Sequence, residues 1–227
     1  MSDYKRHKRQ KHFFYEDNVE DLPRIINTKE LARRLELVFM DVWGKEDFRG
    51  KSFLDVGCGL GQFSKCAKER GAVVTAIDIG ENLLLKTKER AKVKTEMGDV
   101  LKLKYTNDSF DYVLCTEVIE HTDSPRRAMK EIVRVLKPGG KAIVTSPNKY
   151  WWPVFKTMMK LGIRKYDGVE NWEYPWQLRK HFLEAGGTLI ESRGFNLFYP
   201  GVLKVVEARA RILDFMMINY LILGEKW

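Results

Sequence analysis

At 227 residues the chain has room for one large domain, or one domain with an appendage, and its 44% hydrophobic and 12% aromatic content argues against global disorder. Forty Lys plus Arg against 31 Asp plus Glu leave a net charge of +9, part of it packed into Lys5, Arg6, Lys8, Arg9 and Lys11. Cys58, Cys66 and Cys115 are an odd set with no C-x-x-C pair, which argues against a disulfide framework or a zinc site.

No apolar run approaches the ~20 residues of a membrane span, and the charged N-terminus carries no secretory pattern. The expected setting is therefore a reducing cytoplasm. The basic tail has two readings, a disordered solvated end or a contact with nucleic acid or anionic lipid, and the solvated end is preferred.

In chain order, Thr28 can cap a helix that carries Leu31, Leu35, Val38, Phe39 and Val42 at helical spacing up to Gly44. Phe53, Leu54 and Val56 then form a short apolar run of the kind buried on both faces of a parallel sheet. It ends in Asp55-Val56-Gly57-Cys58-Gly59-Leu60-Gly61, and a helix follows from Gln62 to Arg70. A second strand covers Ala72–Ile77 and ends at Asp78, a helix carries Leu83, Leu84 and Thr87, and a third strand covers Val93–Met97 before Gly98-Asp99. Phe110–Cys115 is a fourth strand, Ser124–Leu136 an amphipathic helix that stops at Pro138-Gly139-Gly140, and Lys141–Thr145 a fifth strand.

Strands alternating with helices in this way predict a doubly wound, mostly parallel, Rossmann-like α/β sheet. Right-handed crossovers place Gly57, Asp78, Asp99 and Glu117 on one rim, at the carboxyl ends of the strands, where such sheets bind ligands. Beyond Ser146 the alternation gives way to an aromatic stretch with Tyr150, Trp151, Trp152, Phe155, Tyr166, Trp172, Tyr174 and Trp176. A helix over Pro175–Ala185, a strand over Thr188–Ser192, an amphipathic helix over 202–218 and a closing strand over Tyr220–Lys226 complete the pattern.

Glycines at a strand-to-helix turn admit a ligand against the backbone, and the following helix turns its positive end toward it. The dinucleotide fingerprint wants G-x-G-x-x-G, but Gln62 or Ser64 occupies the place of the third glycine. The pattern here is D-x-G-x-G-x-G. Asp55 would repel a pyrophosphate, and it suits an ammonium group or orients the turn. Asp78 suits a ribose with both hydroxyls free, and Asp99 an exocyclic amine. An amino acid joined to adenosine satisfies all three carboxylates.

The set F-L-D-V-G-C-G-L-G, A-I-D-I, G-D-V, F-D-Y-V-L-C-T-E-V-I-E-H and L-K-P-G-G resembles the class I S-adenosylmethionine-dependent methyltransferases, over about residues 50–147. Within that family it is most similar to the small-molecule, ubiquinone-biosynthesis type. The resemblance implies a seven-stranded sheet with S-adenosylmethionine as donor and S-adenosylhomocysteine as product. It implies that Gly57, Cys58, Gly59 and Gly61 line the methionine part, with Asp55 near the ammonium. It further implies Asp78 on the ribose, Ile79 and Val100 against adenine, Asp99 at its amino group, and Thr116 among the donor contacts.

Glu117, Glu120 and His121 would share one face if they stood on a helix. The string resembles the E-x-x-E-H of ubiquinone-type O-methyltransferases and small-RNA 2′-O-methyltransferases, which implies a divalent metal beside the acceptor, with His181 as a further ligand to consider. His121 as a metal-free general base, with Glu117 beside it, is the other catalytic reading, and packing or capping is a third. Metal is not favoured. The aromatic stretch is either a wall of the acceptor site or an extra core layer.

The expected organisation is a basic tail and lead-in over 1–27 and a methyltransferase domain over 28–227. The domain comprises a core over 50–147, a substrate cover over about 148–176, and a C-terminal helix and strand over 200–227. The expected acceptor is a small apolar or aromatic molecule methylated on oxygen, reached without a transmembrane segment; peripheral membrane contact and oligomeric state stay open. The alternatives are an RNA or protein methyltransferase, a nicotinamide-dependent dehydrogenase, and a donor-binding relative without turnover.

Overall fold

The computed structural model describes residues 28–162, 171–196 and 217–227. The basic tail, Tyr166 and almost all of the 202–218 helix lie outside the described residues.

One seven-stranded sheet runs through the molecule in the order β3-β2-β1-β4-β5-β7-β6. Its strands are β1 (Ser52–Val56), β2 (Val73–Asp78), β3 (Lys94–Met97), β4 (Phe110–Thr116), β5 (Leu136–Pro147), β6 (Gly187–Phe195) and β7 (Asn219–Lys226). The first five are parallel, while β7 runs antiparallel to both β5 and β6. The helices are α1 (Thr28–Glu36), α2 (Gln62–Glu69), α3 (Glu81–Ala91), α4 (Pro125–Val135), α5 (Trp152–Lys160) and α6 (Pro175–Glu184). No helix among the described residues is long and apolar enough to cross a membrane.

The central strands read as continuous apolar runs because both of their faces are buried. On one face Leu54, Val56, Val113, Cys115 and Val144 meet Met129, Ile132 and Val133 of α4 and Leu178 and Phe182 of α6. On the other, Phe53, Val74, Tyr112, Leu114 and Ile143 meet Leu37, Val38, Phe39 and Trp43. Adjacent residues of a strand thus serve opposite layers, as the pleat requires. Two helix starts are set locally: Ser124 Oγ accepts the Arg127 amide at 3.3 Å, and Pro125 and Pro175 open α4 and α6.

Three boundaries differ from expectation. The helix begun at Thr28 widens into a π-helical segment over Leu37–Val42, which lets Leu37, Val38 and Phe39 all be buried in succession. The Pro138-Gly139-Gly140 stop lies inside β5, which already pairs with β4 through Leu136 and Phe110 and shifts register before Tyr112. And β6 is longer than expected, since pairing with β7 carries it to Phe195.

Arg70, at the end of α2, holds the π-helical segment and its exit against the sheet. Its Nη1 donates to the Phe39 carbonyl, and Nη2 reaches those of Trp43 and Gly44 at 3.2 Å. The guanidinium also lies 4.9 Å from the centre of the Phe48 ring. A lysine cannot reproduce this fan of donors, so Arg70→Lys is expected to cost about 1–2 kcal/mol. Urea unfolding measures it, and an unchanged midpoint would show that the fan is incidental.

Candidate active site

The strand order reverses between β1 and β4, so the loops after these two strands diverge and leave a crevice at the carboxyl rim. On the β1 side, the amides of Gly57 and Cys58 both donate to the Ile77 carbonyl, at 2.8 and 3.0 Å, which folds the glycine turn over β2. Gly59 sits at φ 53°, and a Cβ built there meets no atom within 4 Å. It is therefore a left-handed position open to a ligand, where a side chain would stand in the way. Thr87 Oγ1 donates to the Gly59 carbonyl at 2.8 Å and Arg90 Nη1 to that of Leu60 at 2.9 Å, so α3 braces the turn from outside.

Asp78 ends β2 and is 8% exposed. Its Oδ2 accepts the Gly59 amide at 3.0 Å and its Oδ1 the Gly80 amide at 3.0 Å. Each carboxylate oxygen has a second lone pair, the chemistry that two vicinal hydroxyls require. Asp99 is half-buried and accepts the Leu101 amide at 2.9 Å. Ile79 is 40% exposed, whereas Val100 is 5% exposed and packs into the core. Cys58 is buried, and burial, with Asp55 and Asp78 adding to it, pushes its thiol well above the usual range, so it acts as an apolar surface. Thr116 is half-buried at the end of β4.

For Asp55 the sequence left open an ammonium contact or an orienting role. Here its side chain is 1% exposed and its Oδ2 accepts the Ser64 hydroxyl at 2.6 Å, so it ties β1 to the first turn of α2. The Ser64 that breaks the dinucleotide fingerprint is thus the partner of the acid that precedes the glycines.

On the β4 side the expected helical face of Glu117, Glu120 and His121 does not form. Only Ile119–His121 makes a single 3-10 turn, and Glu117 stands before it at φ 54°. The Glu117 carboxylate accepts Thr145 Oγ1 at 2.7 Å on Oε1 and Asn219 Nδ2 at 2.7 Å on Oε2. Burial pushes this carboxyl up, opposed by Arg34 and by the Thr145 hydrogen bond; Glu30 adds to the rise and Asn219 opposes it. Glu120 is instead 1% exposed, its carbonyl accepting the Asn171 amide at 2.6 Å, and its Oε1 lies 3.9 Å from His121 Nε2.

His181 is paired with Glu173, Nε2 to Oε1 at 3.7 Å. Among the described residues no three His, Cys, Asp or Glu side chains come together as ligands for one ion. The residues of the E-x-x-E-H string do not converge as one ligand set: Glu117 turns its carboxylate toward β5 and β7, while Glu120 is buried beside His121.

The aromatic stretch divides. Trp172 is 3% exposed and packs edge-on against Trp152 and Phe155, with ring centres 5.3 and 5.1 Å apart, as an added core. Tyr150 and Trp176 remain half exposed, and Tyr174 stacks on Trp176 at 6.1 Å. The feature that sequence reasoning missed is Asn219, because its partner Glu117 lies 102 positions away.

Residues 54–144 match the profile of a family described as "Methyltransferase domain". The chain is 34% identical over 106 residues to the ubiquinone biosynthesis O-methyltransferase of Coxiella burnetii, a match covering 44% of this chain. It thus spans less than half, 45%, of the length of that relative. It is 29% identical over 229 residues to the demethylmenaquinone methyltransferase of Staphylococcus aureus, which covers 86% of this chain and 92% of the relative. Among solved structures, an S-adenosylmethionine-dependent methyltransferase from Mesorhizobium loti superposes with a TM-score of 0.67 at 19% identity, over 85% of this chain and 98% of the other. The cyclase SpnF superposes with a TM-score of 0.62 at 21% identity, over 86% and 80%. These superpositions establish the fold, and the cyclase illustrates that the fold alone does not name the reaction.

Burial pushes the Asp55 carboxyl up to about 7, against the Ser64 hydrogen bond and with help from the Asp78 charge. The folded chain then keeps a proton that the unfolded chain releases near pH 4, so the stability present below that pH is lost as the pH rises toward 7. Asp55→Asn removes this loss. Its advantage over the wild type is expected to grow by roughly 2–3 kcal/mol between about pH 5 and about pH 8. Urea unfolding at the two pH values measures this; an advantage that does not grow would contradict the buried acid.

Proposed function

We propose that this chain is a class I S-adenosylmethionine-dependent methyltransferase that moves a methyl group to the oxygen of a small, quinone-type aromatic acceptor. The observation that carries this reading is the pairing of two unlike half-sites at one crevice. The glycine turn clasped by Asp78 is built for an adenosine joined to an amino acid, and Glu117 offers a carboxylate next to it.

In this reading Asp78 receives the ribose hydroxyls while keeping the Gly59 and Gly80 amides in place. Gly57, Cys58, Gly59 and Gly61 form the floor for the methionine part, with Thr116 beside it. Ile79 and Val100 flank the adenine, and Asp99 meets its amino group. Asp55 shapes the turn through Ser64, in preference to touching the ammonium directly.

Methyl transfer from a sulfonium is an in-line displacement: the acceptor oxygen bonds to the methyl carbon as the carbon–sulfur bond breaks, and the electron pair stays on sulfur. Alignment and exclusion of water supply much of the acceleration. A hydroxyl acceptor must also lose its proton. Glu117, raised by burial and held by two hydrogen bonds, is the group we assign to receive it. His121, about a quarter exposed and 3.9 Å from the Glu120 carboxylate, is the group we assign to orient the acceptor. No metal is assigned a part.

The quinone-type acceptor is supported by the names of the two curated relatives and by the exposed rings of Tyr150 and Trp176. The division into a lead-in over 1–27 and a catalytic unit over 28–227 belongs to the same proposal.

The test is an acceptor screen that reads out S-adenosylhomocysteine, run on catechols, hydroxynaphthalenes and short RNA, with and without magnesium. The expected result is turnover of a hydroxylated aromatic that magnesium does not change. Turnover of RNA alone, or turnover that needs magnesium, would overturn the acceptor class or the metal-free assignment respectively.

A further inference from the structure

Resting on the methyltransferase reading, we propose that Asn219 is a positioning residue for catalysis: with Thr145, it fixes the Glu117 carboxylate at the acceptor side of the crevice.

Among the described residues Lys92, Asp108, Glu117 and Asn196 are the non-glycine residues with positive φ. Lys92 ends α3 and Asp108 lies in the turn before β4. Glu117 and Asn196 stand instead at the carboxyl rim, at φ 54° and 60°, and they are the two ends of one hydrogen-bonded chain. Asn196 Nδ2 donates to Asn219 Oδ1 at 3.1 Å, and Asn219 Nδ2 donates to Glu117 Oε2 at 2.7 Å. Asparagine tolerates the left-handed region, whereas a glutamate there is uncommon and persists only where its surroundings hold it.

The surroundings do hold it. The Glu117 amide donates to the Thr145 carbonyl at 3.1 Å, while Thr145 Oγ1 returns a hydrogen bond to Glu117 Oε1 at 2.7 Å. Thr145 is fully buried and Asn219 is 4% exposed. Asn219 opens β7, in register with Pro147 of β5 and Phe195 of β6, and its successors Tyr220, Leu221, Ile222 and Leu223 are all buried apolar residues. Packing alone would be served there by another apolar side chain. A buried amide is costly unless both of its ends are used, and here both are, one of them on the carboxylate of the left-handed Glu117.

Position relative to the donor turn is fixed as well. Val118, the next residue, packs so tightly on Gly57 that a Cβ there would lie 2.3 Å from Val118 Cγ2. Glu117 is therefore registered to the turn through its neighbour and to the sheet through Thr145 and Asn219. Each of its oxygens uses one lone pair on these bonds and keeps another for an acceptor hydroxyl. The charged groups that face it from α1 are Arg34 and Glu30, themselves 3.9 Å apart. They set the charge around the carboxylate, whereas Asn219 and Thr145 set its direction.

The test uses steady-state kinetics with S-adenosylmethionine and dihydroxynaphthalene, alongside calorimetric titration of S-adenosylhomocysteine and thermal melts. Asn219→Leu and Thr145→Val are each expected to lower kcat by roughly 10–100-fold, the scale of a small misplacement of a reacting group. The KM for the donor and the affinity for S-adenosylhomocysteine should stay within about twofold of the wild type. Thr145→Ser should restore kcat, because it keeps the hydroxyl and changes only the packing. Wild-type kcat in both Asn219→Leu and Thr145→Val, or equal losses in Thr145→Ser and Thr145→Val, would overturn the positioning role while leaving methyl transfer intact. A wild type that binds S-adenosylhomocysteine and transfers to no acceptor overturns the functional reading instead. The positioning role is then decided by dihydroxynaphthalene binding to the S-adenosylhomocysteine complex, which Asn219→Leu must weaken at least severalfold if the role is real.

Discussion

One carboxylate, that of Asp78, sets the shape of the β1 side of the crevice. It is anchored at the buried end of β2 and receives one amide from the glycine turn and one from the start of α3, each at 3.0 Å. Removing it would leave two backbone donors without their acceptor at the point where a ligand must lie, so the turn depends on a single side chain. The rest of the half-site follows from that clasp. Thr87 and Arg90 hold the outer carbonyls of the same turn, and the buried Asp55–Ser64 bond fixes the angle at which α2 leaves it. The two acids thus hold different parts of the scaffold, Asp78 the amides of Gly59 and Gly80 and Asp55 the Ser64 hydroxyl.

The β4 side of the crevice is made by a different device. Here the antiparallel pair β6–β7, which has no part in the nucleotide-binding topology, closes the sheet beside β5 and delivers Asn219 to the carboxylate that leaves β4. Glu117 is consequently gripped from two strands while the chain that carries it takes a left-handed step. Such strain is found where the direction of a side chain matters more than local backbone preference. The two halves meet through Val118 on Gly57, a contact that only a glycine permits. The contact registers the glycine turn to the residue that follows Glu117.

The parts of this architecture legible in the sequence are those whose signal is local. Largely buried strands read as apolar runs, so Phe53–Val56, Ala72–Ile77 and Phe110–Cys115 announced themselves, and their last residues announced the rim. The helix at Thr28 was legible in its period but not in its π-helical widening, since Arg70 reaches its carbonyls from 31 residues away in the chain. The face of Glu117, Glu120 and His121 was a local argument that failed for the same reason: hydrogen bonds from positions 28 and 102 residues distant outweigh the helical tendency of five residues. Asn219 carries no local signal at all, because an asparagine before a strand reads as a turn residue until its partner is known. The Asp55–Ser64 bond lay between the two: the spacing was visible, but the pairing of the acid with Ser64 needed the fold.

The claim that this crevice receives an adenosine joined to an amino acid, and not a phosphate-bearing dinucleotide, is tested most directly by calorimetric titration with S-adenosylmethionine, S-adenosylhomocysteine and a nicotinamide dinucleotide. One-to-one binding of the first two, no heat from the dinucleotide, and a loss of at least about tenfold in affinity in Asp78→Ala is the outcome expected from a clasp whose charge-assisted hydrogen bonds each contribute about 1.5–3 kcal/mol. Binding of the dinucleotide with no binding of either sulfur nucleoside would contradict it.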